Sequence, residues 1–232
     1  MDHNKFRNGM LLGIAGAILT LLGDLLIGAN PASEITTGSQ MVDMFIDAAE
    51  NSELRMAAGG MLGAVGIPVT ALGYYQLYER LFRPQGGIMP SVYRLGVYAT
   101  AVLGGAGVHL PCAVIPMLYK WIAPTDPSLA ASVAENYANW FMMPSMVIFG
   151  VLLFAALVYQ TVIIVKGKTA YRKRSAFYNM AIGVAASYIL AWVIGKNAVG
   201  NGIGTGAISI GHLYMFTMFC ADMPDEYTAK ER

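Results

Sequence analysis

Three ionisable side chains interrupt long apolar runs of this sequence: Asp24, His109 and His212. Burial raises the pKa of a carboxyl and lowers that of an imidazole, which moves both toward the neutral range where proton transfer works best. An aspartate can also hold one histidine in place while another acts. Two histidines and an aspartate suit zinc or iron with one open position, although no HExxH or other close-spaced ligand pair is present. His109 and His212 also suit the two axial positions of a b-type haem. Each residue has a structural reading too. Asp24 can serve as a hydrogen-bond hub with Thr20, His109 can satisfy backbone carbonyls, and His212 can be a core histidine bonded to Asp24.

His109 has the most unusual setting. It lies in Gly104-Gly105-Ala106-Gly107-Val108-His109-Leu110-Pro111-Cys112, and Pro116 follows. Each proline removes a backbone donor, which predicts a kink with the carbonyls of Gly107 and Cys112 freed. In lipid, such carbonyls must find other partners. A small polar cavity beside His109 is the expectation.

The elements that position these groups are membrane helices. The chain has 232 residues, 56% hydrophobic and 12% charged, with a mean hydropathy of +0.52. Soluble domains carry about 25% charged residues. Several uncharged runs pass the length of about 18 residues that marks a span. The composition predicts an all-α integral membrane bundle of six transmembrane helices, at about 9–28, 54–78, 92–119, 139–165, 176–194 and 203–220. The 221–232 stretch is a polar tail, and the whole forms one domain. The run from Gly9 to Ala29 is too long for a signal-peptide core and reads as an uncleaved first span.

Short amphipathic helices are expected on the outer side. One places Met41, Met44, Phe45 and Ala48 opposite Asp43, Asp47 and Glu50. Another starts at the Asp126-Pro127 cap and ends near Tyr137, because a single helix from Pro127 to Val165 would be about 58 Å long. Four-residue spacing of small residues, as in Gly9, Gly13 and Ala17, in Gly59 and Gly63, and in Gly183, Ser187 and Ala191, predicts close helix packing and offers faces for a homo-oligomer.

Orientation follows from Lys and Arg. With the N- and C-termini cytoplasmic, twelve fall on the inner side and only Arg55, Lys120 and Lys196 on the outer, as the positive-inside rule requires. Asp24, His109, Asn139, Tyr188 and Trp192 then fall in the outer half of the membrane, with Ser209 above a mid-plane His212 and Thr20 one turn from Asp24. The inner half reads as nearly all apolar.

No basic tract points to nucleic acid. Cys112 and Cys220 lie in separate apolar runs and give neither a disulfide framework nor a thiolate metal site. Six spans with a histidine on the sixth match the count in rhomboid proteases, but Pro144-Ser145-Met146 stands where their GxSG turn belongs, so that activity does not follow. The Gly23-Asp24 helix end, with an acidic connection and a glycine-rich second helix after it, resembles small prokaryotic membrane proteins, which places the chain in a plasma membrane.

Taken together, the residues predict an outer-leaflet pocket built on Asp24, His109 and His212 as acid–base groups. Thr20, Asn139, Tyr188, Trp192 and Ser209 line it for a hydrophobic or lipid-like small molecule. A small transporter or channel, or a structural membrane subunit, is the non-catalytic alternative.

Overall fold

The computed structural model describes residues 3–31 and 40–224. All regular structure among them is helical. The predicted tail beyond residue 224 and part of the acidic connection, with Glu34, lie outside the described residues, as do the side chains of Met41 and Met44.

Helix α1 (His3–Gly28) packs along α3 (Glu53–Leu77), with α2 (Gln40–Ala49) between them in sequence. The approach is close because glycines face backbone. A methyl group at Gly16 would stand 2.6 Å from the Gly66 carbonyl oxygen, and one at Gly23 the same distance from that of Gly59. The predicted Gly9-Gly13-Ala17 face is also used within the chain, Gly9 against Gln76 and Gly13 against Phe216. Gly59, Gly63, Gly183 and Ser187 are buried inside the bundle as well.

The C-terminal end of α1 is tied by polar side chains. Arg55 donates to the carbonyls of Leu26 (2.8 Å) and Ala29 (3.1 Å). The Asn51 amide donates to Ile27, and Lys120 to the carbonyl of Asn51. A cation and amides on the last carbonyls of a helix complement its dipole and satisfy groups that have no partner within it. The amphipathic α2 buries Val42, Ile46 and Ala48. Val42 and Ile46 join Ile115, Ala134, Ala138 and Met142.

Among the described residues, three π-helical stretches punctuate the long helices, and each precedes a proline. Tyr78–Phe82 comes before Pro84 and extends α3; Thr100–His109 joins α4 (Met89–Ala99) to α5 (Leu110–Ile122) before Pro111; Ala138–Met142 joins α6 (Pro127–Tyr137) to α7 (Met143–Val165) before Pro144. A proline ring collides with the carbonyl four residues back, and a wider turn relieves the collision. The backbone that the prolines at 111 and 144 were expected to disturb is thus π-wound just before each of them. The expected break after Tyr137 is absent, because Pro127–Val165 is one helical run of 39 residues.

Among the described residues, four runs are long and apolar enough to cross a membrane: Asn4–Gly28, Glu53–Gln85, Ile88–Ile122 and Pro127–Val165. A fifth arises if α9 (Ala198–Thr205) and α10 (Ala207–Ala221), bent by 60°, count together. The sixth predicted helix, 203–220, thus begins in the last turn of α9 and continues, past the bend at Gly206, as α10. Between α7 and α9, α8 (Met180–Ile194) is apolar but has only 15 residues and starts later than predicted, at the Asn179 cap. Four to five apolar helices of this kind fit a multi-pass membrane protein.

Tyr74, Tyr93, Phe82, Phe216 and Phe219 form the main aromatic core. The bundle is less apolar at the C-terminal part of α7 than the sequence suggests: Gln160 is fully buried and donates to the Tyr178 carbonyl at 3.2 Å.

Candidate functional site

The π stretch ends on His109 and delivers its ring between α1 and α3. A side chain at Gly63 would occupy the imidazole itself, and a methyl at Gly23 would sit 3.2 Å from Nε2. His109 thus fills a slot that only glycines leave open. Its Nε2 lies 3.1 Å from the Gly59 carbonyl and its Nδ1 lies 3.2 Å from Oδ1 of Asp24. The Ser209 hydroxyl donates to the other carboxylate oxygen, Oδ2, at 2.5 Å. Asp24, His109 and Ser209 are 8%, 5% and 1% exposed.

These contacts fix the protons. A carbonyl only accepts, so His109 Nε2 carries a hydrogen. One further proton lies between Nδ1 and Asp24. With it on nitrogen the two form an ion pair; with it on oxygen, a neutral pair. The net charge is zero in both cases, which removes most of the cost of placing a lone carboxylate among apolar helices. Three helices distant in sequence, α1, α5 at its start, and α10, meet at this joint.

The geometry does not build a nucleophile. Ser209 bonds the carboxylate rather than the imidazole, and His109 has no free ring nitrogen to accept its proton. A haem or metal bond to His109 would displace either Asp24 or Gly59. Among the described residues no group of three His, Cys, Asp or Glu is placed to hold a metal ion.

His212, expected at the same centre, lies elsewhere. It follows Ser209 by three residues on α10, about one turn toward that helix's C-terminus, with its ring edge-on to Tyr74 at 5.5 Å and stacked on Phe216 at 6.4 Å. Its Nε2 is buried and makes no hydrogen bond among the described residues. The predicted Asp24–His212 bond is absent among the described residues; Ser209, one turn before His212 on α10, holds that carboxylate oxygen instead.

A groove of about 630 Å³ lies just outside the joint. Gly28, Cys112 and Thr205 are among its lining residues. Each lies three or four residues along the chain from Asp24, His109 or Ser209, so the groove stands about one helical turn, about 5 Å, above them. Tyr188 and Trp192, expected beside Asp24, His109 and His212, line it together with Phe45, Asp47 and Lys196. Thr20 and Asn139 do not. The Thr20 hydroxyl donates to the Gly16 carbonyl at 2.9 Å, and Asn139 is exposed on the π stretch before α7. Asp24, His109 and Ser209 support the groove without lining it.

Asn30 and Asn201 do not stand out in the sequence, yet they form a wall of the groove. The Asn201 amide donates to the Asn30 carbonyl at 2.9 Å, and the Asn30 amide to that of Ile27 at 2.6 Å. Gly59 and Gly63 are legible as a packing face, but not as the seat of a histidine.

No curated protein and no solved structure matches the chain. A family model described as a family of unknown function, DUF6796, matches residues 1–226.

Proposed function

The chain belongs to the DUF6796 family of unknown function, and we propose that it is a multi-pass membrane protein whose outer groove binds a lipid-like amphiphile. The observation that carries this reading is the placement of the groove one turn above a charge-neutral Asp24–His109–Ser209 joint. Its volume falls in the range of small-molecule sites, roughly 300–1,000 Å³, and its lining mixes aromatic and apolar side chains with a few polar ones, as such sites do.

Six segments cross the membrane in this reading, with α8 and the bent α9–α10 pair supplying the last two and both termini cytoplasmic. The basic stretches support the orientation. Gln85 donates to the carbonyl of Lys168 at 2.7 Å, so residues 79–85 and 166–174 share one end of the bundle. Arg55 and Lys120 meet at the other, around the end of α1. A prokaryotic plasma membrane is the setting that this charge pattern suits.

Binding is favoured over transport. Inward of the joint, His212, Tyr74, Phe216 and Tyr93 pack as a buried aromatic layer, which leaves a solute no course past them. Binding is also favoured over acid–base conversion, since the joint is one turn away from whatever the groove holds.

Cys112 reports occupancy. In a Cys220→Ser background, added phospholipid should slow alkylation of Cys112 by N-ethylmaleimide about tenfold at ten times the Kd. An unchanged rate at saturating lipid contradicts the reading.

A further inference from the structure

The end of the bundle away from the groove carries charge of one sign. No acidic residue lies between Glu135 and Asp222 in the sequence, and the connection from α7 to α8 holds Lys166, Lys168, Arg172, Lys173 and Arg174. The first four are exposed and make no ion pair among the described residues. The acids described at this end are already taken: Asp222 stands 3.5 Å from Arg174, and Glu79 stands 2.6 Å from Arg83. Four cations are therefore left to an anion from outside the chain.

Their backbone is tied to its neighbours. The Tyr171 hydroxyl donates to the Phe219 carbonyl at 2.9 Å, and the Lys168 amide to that of Ile163 at 2.9 Å. The Gln85 side chain donates to the Lys168 carbonyl at 2.7 Å. Cations on a held backbone lose less freedom on binding than cations on a loose loop.

Apolar side chains flank the cations. Val165, the last residue of α7, is 50% exposed, Phe177 is 67% exposed, and Ile88, three residues beyond Gln85, is 77% exposed. The positive charge thus begins where an exposed apolar helix surface ends, which is the boundary between acyl chains and headgroups in a bilayer. Basic side chains beside exposed apolar ones suit that boundary. An acidic protein would meet the cations but offer Val165 and Phe177 no hydrocarbon.

From this, and resting only on the membrane-spanning part of the reading above, we propose that the α7–α8 connection binds an anionic phospholipid. Its phosphate lies on Lys166, Lys168, Arg172 and Lys173, and its acyl chains lie along Val165 and Phe177.

The test is native mass spectrometry of the detergent-solubilised full chain. The probes are dioleoyl phosphatidylglycerol, dioleoyl phosphatidylethanolamine and the chain-free headgroup glycerophosphoglycerol. Wild type should hold phosphatidylglycerol at least about fivefold more tightly than phosphatidylethanolamine, the scale of one cation at an anionic surface. Combined Lys166→Gln, Lys168→Gln, Arg172→Gln and Lys173→Gln should remove that preference. Exchanging Lys for Arg and Arg for Lys at the same four positions should keep it. Matching size-exclusion profiles show that both variants fold. A second readout needs no variant: raising the ionic strength from about 0.1 M to about 1 M shortens the screening length from about 10 Å to about 3 Å and should erode the wild-type preference. Equal binding of the two lipids, a preference kept by the glutamine variant, or one indifferent to salt overturns the proposal and leaves the membrane-spanning reading standing. Displacement of the lipid by an equal concentration of glycerophosphoglycerol overturns the lipid source. Release of the chain from proteoliposomes by alkaline carbonate overturns the membrane-spanning reading, and the proposal with it.

Discussion

Nδ1 of His109 stands 3.2 Å from Oδ1 of Asp24, across 85 positions of sequence. Each makes the other tolerable inside the bundle. The pair shares one proton, holds no net charge, and anchors α1 to the start of α5 while Ser209 adds α10.

Removing one partner should therefore cost more than replacing it by a neutral isostere. Asp24→Ala leaves His109 Nδ1 and the Ser209 hydroxyl without partners, and breaking a buried pair in this way costs about 3–5 kcal/mol. Asp24→Asn keeps an acceptor for Ser209 and a donor for Nδ1, so about 1 kcal/mol is expected, one hydrogen bond's net worth. Reversible SDS unfolding in mixed micelles measures both. Equal losses for the two variants would contradict the shared-proton geometry.

Glycines around the histidine make a second contrast. Gly63→Ala drives a methyl into an imidazole held by Asp24 and Gly59, and overpacking of this kind costs about 1–3 kcal/mol. A methyl added at Gly150 on α7 would meet no neighbour within 4 Å; Gly150→Ala should be neutral or slightly stabilising. Thermal denaturation of both in one lipid system tests the difference.

Arg55 should act locally. Arg55→Met removes the guanidinium from the Leu26 and Ala29 carbonyls and keeps most of the side-chain length. A loss of about 1–2 kcal/mol is expected, seen as faster amide exchange in residues 26–31 with little change in α7. Uniform acceleration across both helices would show that the contact is not a cap.

Acid should loosen the opposite end. Burial works against the Asp222 carboxylate, but hydrogen bonds from Ser175 and Tyr178 and the charge of Arg174 outweigh it and hold the pKa below the ordinary value. A depressed pKa adds stability that is fully present above the unfolded value, about pH 4, and is lost as pH falls through the folded one. Wild type should thus lose more stability than Asp222→Asn between pH 5 and pH 3 (about the range in which aspartates titrate). Parallel pH profiles would show that Asp222 contributes nothing to acid sensitivity.

Much of this is legible in the sequence. Asp24, Ser209 and His109 stand out as polar groups in apolar runs at similar depth, and Tyr188 and Trp192 as outer-half side chains. The errors have a common cause. Ser209 and His212 share a face of α10 one turn apart, and periodicity cannot tell which of two same-face residues a carboxylate on another helix selects. Gly59 and Gly63 announce close packing, but a four-residue glycine spacing fits a helix backbone and an imidazole equally well. Pro111 and Pro144 announce disturbed backbone; that it takes the form of π winding depends on neighbouring helices. The bend at Gly206 is hidden because the glycine-rich stretch before it reads as a turn rather than as a helix.

The most direct measurement is an experimental density map of the protein in lipid nanodiscs. Elongated density is expected in the groove, ending between Cys112 and Thr205, above a His109–Asp24 contact within hydrogen-bonding distance. A groove filled by the protein's own side chains, or a His109 ring turned away from Asp24, would contradict amphiphile binding above a neutral joint.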